Sequence, residues 1–141
     1  MMFKERRRLE LQRKIYASSS ERILRRAWNL AVGMGHSYVG SEHLLLALCD
    51  STDTLPGRLL RWQGLQPERL QRTLVQRCGT GDGTALLPQG LTPEAVQILS
   101  NAVQEMQHWG KKRVLPEHIL LSLSRREDDT ACCLLRQSGT D

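Results

Sequence analysis

Twice in 141 residues a glutamate and a histidine stand side by side at the head of an apolar run: Glu42 and His43 before "LLLAL", Glu117 and His118 before "ILLSL". These residue types can ligate a metal, move a proton or grip an ionic group. A metal is not expected, because neighbours on a helix diverge by about 100°, so one Glu-His pair does not converge on one ion and the two pairs occupy separate helix starts. Catalysis is not expected either. The serines are scattered or sit at capping positions, no Gly-x-Ser-x-Gly occurs, and no cysteine has an evident base, so no catalytic residue is nominated. The glutamates either serve only the helix dipole or take part in ionic recognition. A helix start exposes unpaired amides that attract phosphate, and a carboxylate beside them takes a guanidinium in a two-pronged hydrogen bond. Together they form a receptor for a ligand that carries both a cationic and an anionic group, with Ser41, Glu42 and Glu117 as the candidate ligand-binding residues. Ser41 is expected to cap the helix that follows, with Glu42 in its first turn favoured by the helix dipole by roughly 0.3 to 1 kcal/mol. Ser41 supplies a hydroxyl and an amide where Pro116 supplies neither, so the Glu42 site is expected to be the better one. His43 and His118, beside leucines, read as structural residues satisfied by a backbone group.

The elements that position these residues come as a repeat. Glu42 and Glu117 differ by 75, and the same offset matches Ile23 with Ile98, Leu24 with Leu99, Ala27 with Ala102, Gly35 with Gly110, Val39 with Val114, Leu59 with Leu134, Leu60 with Leu135 and Gly64 with Gly139. A register held this long is an internal duplication. Within each copy the period is helical. Ile23, Leu24, Ala27, Leu30, Ala31 and Met34 form one face, and Ile98, Leu99, Ala102, Met106 and Trp109 repeat it. Gly35 and Gly110 close these helices as structural caps. The runs "HLLLAL" and "HILLSL" are apolar all round, as suits a helix at the centre of a bundle. Third helices are expected around "GRLLRWQG" and "ACCLLRQSG". A fourth follows only in the first copy, "PERLQRTLVQRC", with Pro67 in its first turn and Leu70, Leu74 and Cys78 four apart. The chain stops at Asp141 before a matching last helix can form. Thr92 and Pro93 restart structure after the glycine-rich "GTGDGTALLPQG".

No strand pattern competes. The expected fold is all-α, two pseudo-symmetric tandem helical repeats: residues 1–16 a basic arm, 17–78 the first repeat, 79–91 a linker and 92–141 the second repeat.

Charge separates the arm from the body. Residues 1–16 hold six bases (Lys4, Arg6, Arg7, Arg8, Arg13, Lys14) against two acids, leaving +1 of the total +5 for the rest. The body therefore has no general attraction for nucleic acid or anionic membrane. The arm is a solvated charged helix end, or it contacts an acidic partner or nucleic acid with Phe3, Leu9 and Ile15 as apolar anchors. Cys49, Cys78, Cys132 and Cys133 lack Cys-x-x-Cys spacing and read as buried reduced thiols. No apolar run approaches the ~20 residues of a membrane span and no signal peptide opens the chain, so a cytoplasmic protein is expected. Trp28 and Trp62 are core residues or, where exposed, anchors for a peptide.

"GHSYVGSEHLLLAL", "LTPEAVQILSNA" and "VLPEHILLSL" together resemble the Clp N-terminal repeat domain that precedes the ATPase modules of ClpA and ClpC type unfoldases. The opening "MMF" also looks like the start of ClpC type proteins. The resemblance covers residues 17–141. It implies an all-helical module that docks adaptors and substrates of a Clp unfoldase-protease system, needs no cofactor and behaves as a monomer in isolation. In some ClpC type members the glutamates matching Glu42 and Glu117 are implicated in binding phosphorylated arginine as a degradation mark. Two departures stand out. The chain holds no GxxxxGK[ST] phosphate loop, so it does not hydrolyse ATP as it stands and is either a domain of a longer unfoldase or a stand-alone relative. Its basic arm is longer than the family's usual lead, which keeps open a regulator that binds nucleic acid or an acidic protein through that arm.

Overall fold

The computed structural model describes residues 15–36, 38–78 and 90–125. Residues 1–14 of the basic arm, residues 79–89 of the linker and the third helix expected at "ACCLLRQSG", with Cys132 and Cys133, lie outside the described residues. Within them the chain forms α1 (Ser18–Gly33), α2 (Ser41–Asp50), α3 (Leu55–Trp62), α4 (Pro67–Cys78), α5 (Pro93–His108) and α6 (Pro116–Ser124). No strand occurs among the described residues, only two isolated bridges.

The first helix of each repeat is built by the same stripe. Ile23, Ala27 and Ala31 are buried on α1, and Ile98, Leu99, Ala102 and Met106 on α5. Trp109 departs from the expected stripe: it sits past the end of α5 and is 59% exposed. Both helices stop the same way, because Gly35 (φ 69°) and Gly110 (φ 68°) adopt the left-handed conformation that only glycine enters freely. The turn lets the His36 amide donate to the Ala31 carbonyl and the Lys111 amide to the Met106 carbonyl, both at 3.0 Å. Their starts differ. Thr92 accepts from the Ala95 amide at 3.1 Å and Pro93 opens α5, whereas Ala17 at the head of α1 makes no side-chain cap.

α2 is the centre of the molecule. It packs against each of the other described helices, and every residue from His43 to Cys49 is buried. Leu44, Leu45, Leu46 and Leu48 point in different directions around the axis, so a helix apolar on all sides is satisfied only when surrounded. The Cys49 thiol, also buried, faces the Leu65 carbonyl, and burial pushes it up to about 11.

The two repeats are stitched by a reciprocal exchange. Tyr16 pairs with Val114, and Val39 pairs with Leu91, both parallel. At the offset of 75 these are the same bridge made in opposite senses, since Tyr16 corresponds to Leu91 and Val39 to Val114. The Ala17 amide donates to the Val114 carbonyl (3.0 Å) just as the Thr92 amide donates to the Val39 carbonyl (2.9 Å). Val114 donates back to the Ile15 carbonyl, and Val39 to the Gly90 carbonyl. Each repeat thus supplies the lead-in of its first helix to the loop before the other repeat's second helix.

Candidate functional site

Both Glu-His pairs stand in the first turn of a core helix, α2 and α6, each just after its bridge valine. In both turns the histidine faces inward and caps its own helix. The Gly40 amide donates to His43 Nδ1 at 2.9 Å, and the Leu115 amide to His118 Nδ1 at 2.8 Å. The backbone answers in kind: the His43 amide donates to the Gly40 carbonyl and the His118 amide to that of Leu115. A neutral imidazole with one nitrogen free fills this position, satisfying an amide that the helix itself cannot.

Burial holds His43 neutral. It is 1% exposed, and desolvation, followed by the nearby His36, lowers its pKa from 6.5 to about 4. Because Nδ1 accepts from Gly40, the proton resides on Nε2, which donates to His36 Nδ1 at 2.8 Å. In the second repeat the position of His36 is taken by Lys111, and His118 is again lowered, chiefly by burial, with Glu117 and Glu105 opposing.

The helix starts differ in the way their glutamates are held. α2 begins at Ser41 with Gly40 as its N-cap, so Ser41 is not the capping residue the sequence suggests. No side chain caps from there, and Ser41 is buried at the first helical position. Its hydroxyl instead reaches toward Glu42 Oε2 at 3.5 Å. The Glu42 carboxylate folds back over Gly40, where a Cβ would come within 2.5 Å of Oε1, and lies 3.6 Å from His43 Nδ1. With Nδ1 unprotonated that approach is not an ion pair; the carboxylate stands in the first turn of α2, where the helix dipole favours negative charge. In the second repeat Leu115 occupies the Gly40 position and Pro116 the Ser41 position, so a side chain fills that space and one amide is lost.

Spacing alone did not disclose three features. His36 pairs with His43 through a loop turn, seven residues away. Gly40 matters for the space beside it, which only a partner side chain in three dimensions defines. A cleft of about 430 Å³ between α5 and α6 is lined by Asn101, Gln104, Glu105, His108, Ser122 and Arg125, and neither Glu42 nor Glu117 borders it. The two tryptophans part company: Trp28 packs half-buried against the core, while Trp62 is 87% exposed. Among the described residues no group of three or more histidine, cysteine or acidic side chains is placed to hold a metal ion, and no helix is long and apolar enough to cross a membrane.

The chain is similar to a part of several Clp proteins. It is 27% identical over 124 residues to the negative regulator of genetic competence ClpC/MecB of Bacillus subtilis, covering 88% of this chain and 15% of that protein. To a ClpA homologue of the Clp protease ATP-binding subunit from Trieres chinensis it is 32% identical over 108 residues, covering 77% and 12%. The chain therefore spans about an eighth to a seventh of these relatives. Its backbone superposes on the N-terminal domain of the chaperone ClpD from Arabidopsis thaliana with a TM-score of 0.75 at 18% identity, covering 90% of this chain and 86% of that one. The Hsp104 N-terminal domain of Candida albicans gives 0.71 at 18% identity, covering 89% and 83%. The model of the Clp repeat N-terminal domain matches residues 15–138, which includes both bridges and both Glu-His turns, and the chain belongs to that family.

Proposed function

We propose that this chain is a non-catalytic docking module that receives adaptor or substrate proteins for a Clp-type ATP-driven unfoldase, and that it recognises phosphorylated arginine at the start of α2. The observation that carries this reading is the Glu42 turn: a partly buried carboxylate (19% exposed) lies with the Ser41 hydroxyl at the positive end of the central helix. A guanidinium there meets the carboxylate while its phosphate meets amides. Glu117 provides the second, weaker position, because Pro116 removes an amide and a hydroxyl from the same turn.

Calorimetric titration of the 141-residue chain with free phosphoarginine tests this. Binding is expected, with Glu42→Ala weakening it more than Glu117→Ala. Equal losses would refute the asymmetry, and no binding by the wild-type chain would refute the site.

A further inference from the structure

α3 is apolar on two sides, and only one of them serves the fold. Its inward residues, Pro56, Gly57 and Leu60, are buried against the core. On the other side Leu55 (48% exposed), Leu59 (41%) and Trp62 (87%) stand in solvent at spacings of four and three. Arg58 lies among them, also exposed, and completes the i, i+3, i+4, i+7 face of one helix. The other α3 arginine is engaged: Arg61 donates to the Cys49 carbonyl and lies 3.8 Å from Asp50. Among the described residues no acid pairs with Arg58.

Along the chain from α3 into α4 the charge is predominantly basic, with Asp50 and Asp53 just before it. Residues 55–72 carry four arginines (Arg58, Arg61, Arg69, Arg72) and one acid (Glu68), a balance of +3, while residues 17–141 as a whole balance at +1. The rest of the body is therefore at −2, and its basic excess is gathered on α3 and the start of α4. An apolar seam at three-and-four spacing with a central guanidinium and a basic border complements a helix of the opposite character.

We propose that the outward face of α3 docks an acidic amphipathic helix of a partner protein. Leucines of that helix pack on Leu55, Leu59 and Trp62, and one of its carboxylates reaches Arg58. This deepens the docking role proposed above, sharing its premise that the module receives protein segments, but it uses a surface separate from the Glu42 turn.

The test is calorimetric titration of the full chain with a synthetic helical peptide of leucine and glutamate, its leucines spaced by three and four, and with its lysine-for-glutamate counterpart. The glutamate peptide is expected to bind. Trp62→Ala and Arg58→Glu should each weaken it about tenfold or more, and Arg58→Glu should gain affinity for the lysine peptide. Both substitutions replace exposed side chains, so circular dichroism should report an unchanged fold. Glu42→Ala with Glu117→Ala should leave peptide affinity unaltered, so loss of the phosphoarginine site and loss of this surface are separable results. The proposal is overturned if the wild-type chain ignores the glutamate peptide, or if Arg58→Glu binds both peptides as the wild type does. It is equally overturned if sedimentation shows a dimer that Trp62→Ala dissolves, which would assign the face to a second copy of the chain.

Discussion

His43 joins three requirements in one imidazole: it is buried, it accepts the Gly40 amide and it donates toward His36. The first two need the neutral ring, since a charged imidazole is costly to bury and has no nitrogen left to accept from Gly40. In the folded chain its pKa is near 4, while the unfolded chain has the ordinary 6.5, so between these values the unfolded state binds a proton that the folded state refuses. Stability from this residue is complete above about pH 6.5 and is lost as the pH falls toward 4. The full effect is on the order of 3 kcal/mol. His118 is shifted in the same direction and adds to the trend. Urea titrations at pH 7, 5.5 and 4.5 should show a falling midpoint, and His43→Gln should start lower at pH 7 but fall less. A midpoint independent of pH in the wild type would mean the ring charges without cost. The ion pair between Arg26 and Asp50 carries no such weight: the two meet at 3.1 Å with both side chains well exposed, where ion pairs contribute little.

α3 is short, and its approach to α2 depends on one position. Thr54 caps it by accepting from the Gly57 amide, and Pro56 sets its first turn. Gly57 then lies so close to the end of α2 that a Cβ would come within 2.0 Å of the Ser51 carbonyl oxygen and 2.8 Å of that of Leu48. Backbone oxygens do not yield as a flexible side chain does, so Gly57→Ala forces α3 away from the core. We expect a loss of about 3 kcal/mol or more, above the gain that alanine brings to an ordinary helix position. Thermal unfolding measures it, and Gly33→Ala, which meets nothing within 4 Å, is the control that should be neutral or slightly stabilising. The same geometry explains how α3 turns Leu55, Leu59 and Trp62 outward: a helix pinned on its glycine side has no freedom to roll its remaining apolar residues under cover.

Across the whole molecule the reciprocal bridges decide how it unfolds. Each repeat's first helix is led in by a strand-like segment bonded to the other repeat, and Ser20 adds a buried hydroxyl bond to the Val114 carbonyl at 2.6 Å. Neither repeat can therefore leave the native state while the other stays complete. Hydrogen exchange should show the amides of Ala17, Val39, Thr92 and Val114 opening with the same free energy as the core amides of α2. Val39→Pro and Val114→Pro, which remove matching donors, should lower the unfolding midpoint in a single transition. Two separate transitions, one per repeat, would contradict the interlock.

Much of this was legible in the residues themselves. The 75-residue offset, the glycines at 35 and 110, and the apolar runs mark two helical repeats, because a helix's period and caps are local properties of the chain, but only α2 is buried all round, while Leu120 and Leu121 of α6 stay half-buried. The position of both glutamates at helix starts was readable for the same reason. Other features depend on what lies across space. Ser41 reads as a cap, yet Gly40 takes that place because His43 satisfies its amide from inside the turn. Trp28 and Trp62 look alike as letters, but Trp28 packs against the core from α1 while Trp62 lies on the outward face of α3. The pairing of Tyr16 with Val114 and of Val39 with Leu91 joins residues far apart in the chain. Only packing the two copies against each other brings those backbone groups within hydrogen-bonding reach.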